Sequence, residues 1–348
     1  MAWRRRTALG LVSLALLGTT LVSADPGAAR PAVRILLVGD SVTQGSSGDW
    51  TWRYRLWQHL VGSGTRVDLV GPYDDLYDNV TATQGSDAYL DPVFDRDHAA
   101  RWGMAFADES PPIGTLVRDH HTDVVVEMLG VNDLTWRHAP PAEVEGAARR
   151  LVEDARAADP GISVVLGEVG QTWLPGAEEY DASLAALASE LDTASSRVVA
   201  AAPAAPLVQG VDTYDAAHPT ATGEVKLAAG VADALAVLGV GPTSPRPLPV
   251  VPNGPRVPAT LVGASGDGEV RLSWRSPPGA TAEYVWRRDA TTGADWSRLP
   301  VAVTGSTWTS AGLTNGHAYQ FRLQAEKGSV AAQDLYSDVV TVTPGPDP

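Results

Sequence analysis

Between Val33 and about Gly241, short continuous runs of Val, Ile, Leu and Ala alternate with longer stretches whose apolar residues recur at helical spacing. The runs are Val33 to Val38, Val67 to Val70, Val124 to Leu129, Ile162 to Leu166 and Val198 to Ala201. A strand covered on one face alternates apolar and polar residues, so an unbroken apolar run predicts a strand covered on both. The intervening stretches predict helices over Trp52 to Val61, Ile113 to His121, Ala142 to Ala158, Tyr180 to Ala194 and Ala221 to Leu238. The fold expected is α/β, a doubly wound parallel sheet. In such sheets ligands gather at the carboxyl ends of the strands, so chemistry is to be sought just after each run.

The pattern changes at residues 241–258, GPTSPRPLPVVPNGPRVP, where closely spaced prolines remove backbone donors and favour extended chain. A semi-rigid linker is expected there, between a first domain over 31–240 and a second domain over 259–344. The second domain alternates at period two, as in Val270-Arg271-Leu272-Ser273-Trp274 and Tyr319-Gln320-Phe321-Arg322-Leu323, with turns rich in Gly, Pro and Asn. This predicts a small antiparallel sandwich. It resembles a fibronectin type III module, with Trp274 as the core tryptophan and Leu313 to Tyr319 as the run into a tyrosine corner.

Three segments carry chemistry. Gly39-Asp40-Ser41-Val42-Thr43-Gln44-Gly45 places an uncrowded serine after the first apolar run, where a strand-to-helix turn can aim its hydroxyl and its own N–H at one point. Gly130-Val131-Asn132-Asp133 follows the third run; a neutral asparagine amide can donate to a developing oxyanion. Asp215-Ala216-Ala217-His218-Pro219 sets a carboxylate three residues before a histidine, so one turn can present both side chains. Taken singly, each also fits an ordinary turn or helix cap; their order after successive strands gives them joint weight.

GDSVTQG, GVND and DAAHP resemble the first, third and fifth sequence blocks of the SGNH, or GDSL-like, hydrolases, over Val33 to about Leu238. Val42 stands where leucine gives that family its name. The resemblance implies a flavodoxin-like sheet with Ser41 as nucleophile, His218 as general base and Asp215 as its orienter. It implies an oxyanion hole of the Ser41 N–H, the Asn132 amide and a second-block glycine, assigned to Gly103 in Ala100-Arg101-Trp102-Gly103-Met104, with Gly85 as the alternative. No cofactor and no metal are expected. His120-His121 reads as a helix end, and Asp74, Asp75, Asp78 and Asn79 lack the regular ligand spacing of a calcium loop.

The 26 Lys and Arg against 41 Asp and Glu give a net charge of −15, which disfavours nucleic acid and anionic membrane as partners. Absence of cysteine excludes thiol nucleophiles, thiolate metal sites and disulfides. Residues 1–24 read as a signal peptide: Arg4 to Arg6, then an apolar run from Ala8 to Val22 and small residues Val22-Ser23-Ala24. Its removal would take the charge to −18, and a disulfide-free exported chain fits a bacterial source. Expected, then, is a secreted monomeric serine esterase, an O-acetylesterase acting on acetylated polysaccharide. A lipase or lysophospholipase of the same family and a non-catalytic glycan-binding protein are the alternatives. Trp52, Trp102 and Trp136, close to the three segments, are candidate substrate contacts because flat aromatic faces suit sugar rings.

Overall fold

The computed structural model describes Met1 and residues 31–346. The signal-peptide reading falls outside the described residues, Met1 apart. In the first two-thirds of the chain the elements are β1 (Val33–Gly39), α1 (Ser41–Gln44), α2 (Trp52–Gly62), β2 (Val67–Val70), β3 (Leu76–Asp78), β4 (Thr83–Ser86), β5 (Ala99–Ala100), α3 (Ile113–Asp119), β6 (Val124–Met128), α4 (Val131–Thr135), α5 (Pro141–Ala158), β7 (Ser163–Gly167), α6 (Ala177–Leu191), β8 (Val198–Ala201) and α7 (Ala221–Val237). All five apolar runs are strands of one parallel sheet, ordered β2-β1-β6-β7-β8, with β5 added to the end of β1.

Burial explains why these strands are apolar throughout: Ile35 to Val38 and Val124 to Val126 are buried without alternation, beneath helices that contribute Leu56, Leu60, Val144, Leu151, Leu184 and Leu235. The order sets β1 between β2 on one side and β6 on the other. Chain leaving its carboxyl end therefore emerges in the crevice where strand order reverses.

The last third forms β9 (Thr260–Gly266), β10 (Glu269–Arg275), β11 (Ala282–Asp289), β12 (Ser297–Arg298), β13 (Thr307–Ala311), β14 (Tyr319–Lys327), β15 (Val330–Ala331) and β16 (Val340–Val342). Two antiparallel sheets, β13-β10-β9 and β12-β11-β14 with β15 and β16 both on β14, enclose Val270, Leu272, Trp274, Val285, Phe321 and Leu323. These core residues come from alternate positions of β10, β11 and β14, as the period-two pattern requires. The Tyr319 hydroxyl accepts the Thr314 N–H at 3.0 Å, the tyrosine corner that the resemblance to fibronectin type III modules implied.

Residues 241–258 contain no regular element, yet side chains pin them to what they pass. The Ser244 N–H and the Arg246 guanidinium both bond Asp233 on α7. Asn253 exchanges bonds with Thr222 at the start of α7 and donates to the Val211 carbonyl. Arg256 pairs with Asp334 through two bonds of 2.6 and 2.9 Å. A proline-rich segment has few N–H groups to spend, so polar side chains do most of the work of holding it along the surface.

Candidate active site

Ser41 is the first residue of α1, immediately after β1. The Asp40 carboxylate accepts the Val42 N–H at 2.8 Å and so caps this single turn. The fully buried Arg53 closes the other end, donating to the carbonyls of Thr43 and Gln44 at 2.8 and 3.1 Å. With both ends satisfied, a four-residue helix too short to persist alone becomes a fixed pedestal.

His218 lies in the irregular chain between β8 and α7. Its Nε2 is 2.9 Å from the Ser41 Oγ and its Nδ1 is 2.7 Å from Asp215 Oδ2. Asp215 Oδ1 also accepts the N–H groups of Ala217 and His218, at 2.9 and 2.8 Å. Burial pushes the Asp215 carboxyl upward, but these bonds and the neighbouring imidazole more than offset it, holding the group below the ordinary carboxylate range. It is an anion fixed on Nδ1, which leaves Nε2 as the nitrogen facing serine. The loop has further anchors that sequence reasoning did not single out: Trp173 Nε1 donates to the Ala216 carbonyl and Gln171 Nε2 to that of Ala217, both at 2.8 Å.

Gly103 sits opposite, in a loop held by Gln44. The Gln44 Oε1 accepts the Trp102 N–H at 2.7 Å, and the Arg101 N–H donates to the Gly39 carbonyl at 3.1 Å. Gly103 has φ +81°, open space where a Cβ would stand, and a place in the lining of the cleft. Gly85 is elsewhere, on β4, with its N–H given to Asp75. Asn132, in the first turn of α4, reaches the same cleft, but its amide already donates to Asp40 Oδ2 at 3.2 Å and to the Met104 carbonyl at 3.0 Å. Receiving an oxyanion would require one of these bonds to yield. Asp40 is wholly buried, and burial raises its carboxyl to about 7. Near neutral pH it is therefore an acceptor whose charge is easily surrendered.

Ser41, Gly103, Asn132 and His218 line a cleft of about 900 Å³, with Trp102, Trp136 and Leu174 as apolar wall and Asp108 and Arg137 beside them. The three candidate tryptophans differ. Trp136 is 80% exposed at this cleft, where a ring face is available to a ligand. Trp102 lines it too, but stacks on His218 at 4.2 Å between centroids, in a run of near-parallel rings that includes Tyr77 and Tyr214. Trp52 is corrected: it is 0% exposed in the core under α2, because helical spacing turns it inward. The acidic turn after β2 spends Asp74 on Arg96, Asp75 on Arg101 and Asp78 on the N–H groups of Val80 and Thr81. His120 caps the end of α3.

A hydroxyl, an imidazole and a carboxylate in hydrogen-bonded series, beside backbone and amide donors, can carry acyl transfer through a serine ester. Comparison with known proteins agrees. Among solved structures, a carbohydrate esterase family 3 protein from Talaromyces cellulolyticus is 26% identical with a TM-score of 0.51, aligned over 59% of this chain and 97% of that one. An acetyl esterase mutant solved with an acetate ion is also 26% identical, with a TM-score of 0.50 over the same shares. A family 3 carbohydrate esterase from Clostridium thermocellum, 20% identical with a TM-score of 0.50, shares the fold. Of curated proteins, the amylopullulanase of Thermoanaerobacterium saccharolyticum is 35% identical over 71 residues, 20% of this chain; the match spans only 6% of that protein's length. The model of the GDSL-like lipase/acylhydrolase family matches residues 37–229, more than half of the chain and the whole of the site just described, and the chain belongs to that family.

Proposed function

We propose that this chain is an exported serine esterase that removes acetyl groups from carbohydrate. The observation that carries the esterase reading is the series Ser41 Oγ, His218 Nε2, His218 Nδ1, Asp215 Oδ2, at 2.9 and 2.7 Å, opening on the cleft. His218 takes the Ser41 proton as Oγ bonds to the ester carbonyl carbon. The carbonyl oxygen becomes an oxyanion facing the N–H groups of Ser41 and Gly103 and the Asn132 amide. Collapse expels the alcohol, which receives the proton from His218; water then repeats the sequence on the acyl-serine and releases the acid. No step calls for a cofactor or a metal.

Support for acetate on carbohydrate comes from the two neighbours at 26% identity, one named a carbohydrate esterase and one an acetyl esterase. The exposed Trp136 at a cleft bordered by Asp108 and Arg137 suits a sugar ring with its hydroxyls. Export rests on the sequence of residues 1–24; among the described residues no helix is long and apolar enough to cross a membrane.

An ester panel tests the reading: acetylated xylan and p-nitrophenyl acetate against long-chain p-nitrophenyl esters and lysophospholipid. Acetyl esters are expected to lead in kcat/KM by at least about tenfold, and Ser41→Ala to lower kcat on the order of 10⁵- to 10⁶-fold. Preference for the long-chain esters would overturn the acetyl assignment, and an active Ser41→Ala protein the whole mechanism.

A further inference from the structure

We propose that the C-terminal sandwich is a working part of the active site, its β14–β15 turn acting through Lys327, Gly328 and Ser329 to position Tyr214 and, through it, His218. The inference rests on the esterase reading above and deepens it.

Lys327 ends β14 and is one of two lysines in the chain, yet only 6% of it is exposed. Its ammonium leaves the sandwich and enters the α/β unit, donating to Asp49 Oδ1 at 2.6 Å and to the Ser47 carbonyl at 2.9 Å. It lies 4.9 Å from the centroid of the Tyr214 ring. Asp49 in turn accepts the N–H and hydroxyl of Ser46, at 3.0 and 2.9 Å, and the Ser46 hydroxyl is 3.0 Å from that of Tyr214. Lys327, Asp49, Ser46 and Tyr214 thus form a closed ring of contacts, each member held by two others.

The next two residues grip the Tyr214 backbone. The N–H and hydroxyl of Ser329 both donate to the Tyr214 carbonyl, at 2.8 and 3.1 Å. Gly328 has φ +56°, and a Cβ on it would stand 2.1 Å from the same oxygen. Only glycine lets the turn approach so closely.

Tyr214 transmits this hold to the catalytic loop. Its N–H donates to the His218 carbonyl at 3.0 Å, and its ring lies near-parallel to the imidazole, 17° and 5.6 Å away. A cation buried against a tyrosine ring and paired with a carboxylate is costly to desolvate, and removing it leaves Asp49 a buried charge without its partner. A domain that merely tethered the enzyme would have no need of them. Positional error of the general base falls on the chemical step more than on substrate binding.

The test uses the full-length chain with p-nitrophenyl acetate. Lys327→Met, near-isosteric and uncharged, is expected to lower kcat about 10-fold or more while KM stays within about twofold. Ser329→Ala removes one exposed hydroxyl, leaves the fold standing, and is expected to lower kcat about twofold to threefold. Wild-type kcat in a natively folded Lys327→Met protein, at a temperature below its melting transition, would overturn the proposal; so would a rise in KM with kcat unchanged. Should Lys327→Met fail to fold, Ser329→Ala decides alone, and wild-type kcat there rejects the positioning role. The esterase reading fails separately, by absence of any turnover that Ser41→Ala abolishes.

Discussion

Ser41 and His218 meet at 2.9 Å, yet the two are held there by different means. Ser41 stands one residue beyond Asp40, which follows β1, and β1 is paired to β2 and β5 along one edge and to β6 along the other. Main-chain hydrogen bonds fix the strand, and Asp40 and Arg53 fix the turn at its end. His218 stands in a loop outside the sheet, closed by a single Thr213–Pro219 bridge and held by Asp215, Gln171 and Trp173 and, through Tyr214, by Lys327 and Ser329 from the sandwich. Ser41 is thus carried at the end of a strand ladder, on a turn clamped by two side chains, and His218 in a loop tied by several scattered contacts. Single substitutions should move the second far more readily than the first.

The largest effect short of removing Ser41 or His218 is expected at Asp215, whose charge fixes the imidazole. Asp215→Asn should lower kcat by about 10⁴-fold, as expected when the tautomer is set wrongly. A loss below about tenfold would mean that the remaining loop anchors hold His218 without it, and would blur the contrast. Asn132→Ala comes next, with a fall in kcat of about 100- to 1,000-fold as one oxyanion donor goes. Because that amide also spans Asp40 and the Met104 carbonyl, a neutral result would show that it serves the Ser41 turn as structure and no oxyanion.

The smallest effect concerns stability. Asp40 in the folded chain titrates at about 7, above its ordinary value of 3.8, because burial disfavours its charge. Its favourable contribution is complete below about 4 and disappears as pH rises through about 7, when the native state must carry a buried anion. Asp40→Asn escapes this cost. The difference in Tm between variant and wild type should therefore shift in the variant's favour from pH 5 to pH 8, by a few degrees. A difference that stays constant over that range would show that Asp40 is already ionised in the folded state at pH 5.

Much of this could be read from the chain itself. Five apolar runs named five strands because burial on both faces forbids alternation, and period two named the sandwich for the converse reason. Ser41, Asp215 and His218, which the structure brings together, could be singled out as candidates because each follows a strand or precedes a helix, and the last two are near neighbours in sequence. Gly103 was singled out only through resemblance, since nothing local marks a glycine proposed to offer an open N–H. Trp52 misled because an aromatic near a nucleophile looks like a substrate contact until its helical face is known; that face is turned inward.

What composition and order determined, then, was the identity of the strands, the two-part architecture and the chemistry available without cysteine. Each follows from the periodicity of burial or from the residue types present, both local properties. The tertiary structure alone decided that Asn132 shares its amide with Asp40, that Trp102 stacks on the His218 imidazole, and that a lysine 278 residues beyond Asp49 closes against it beneath Tyr214. Those contacts join residues far apart in the chain, and no periodicity records them, because they depend on how separately folded surfaces come to lie against one another.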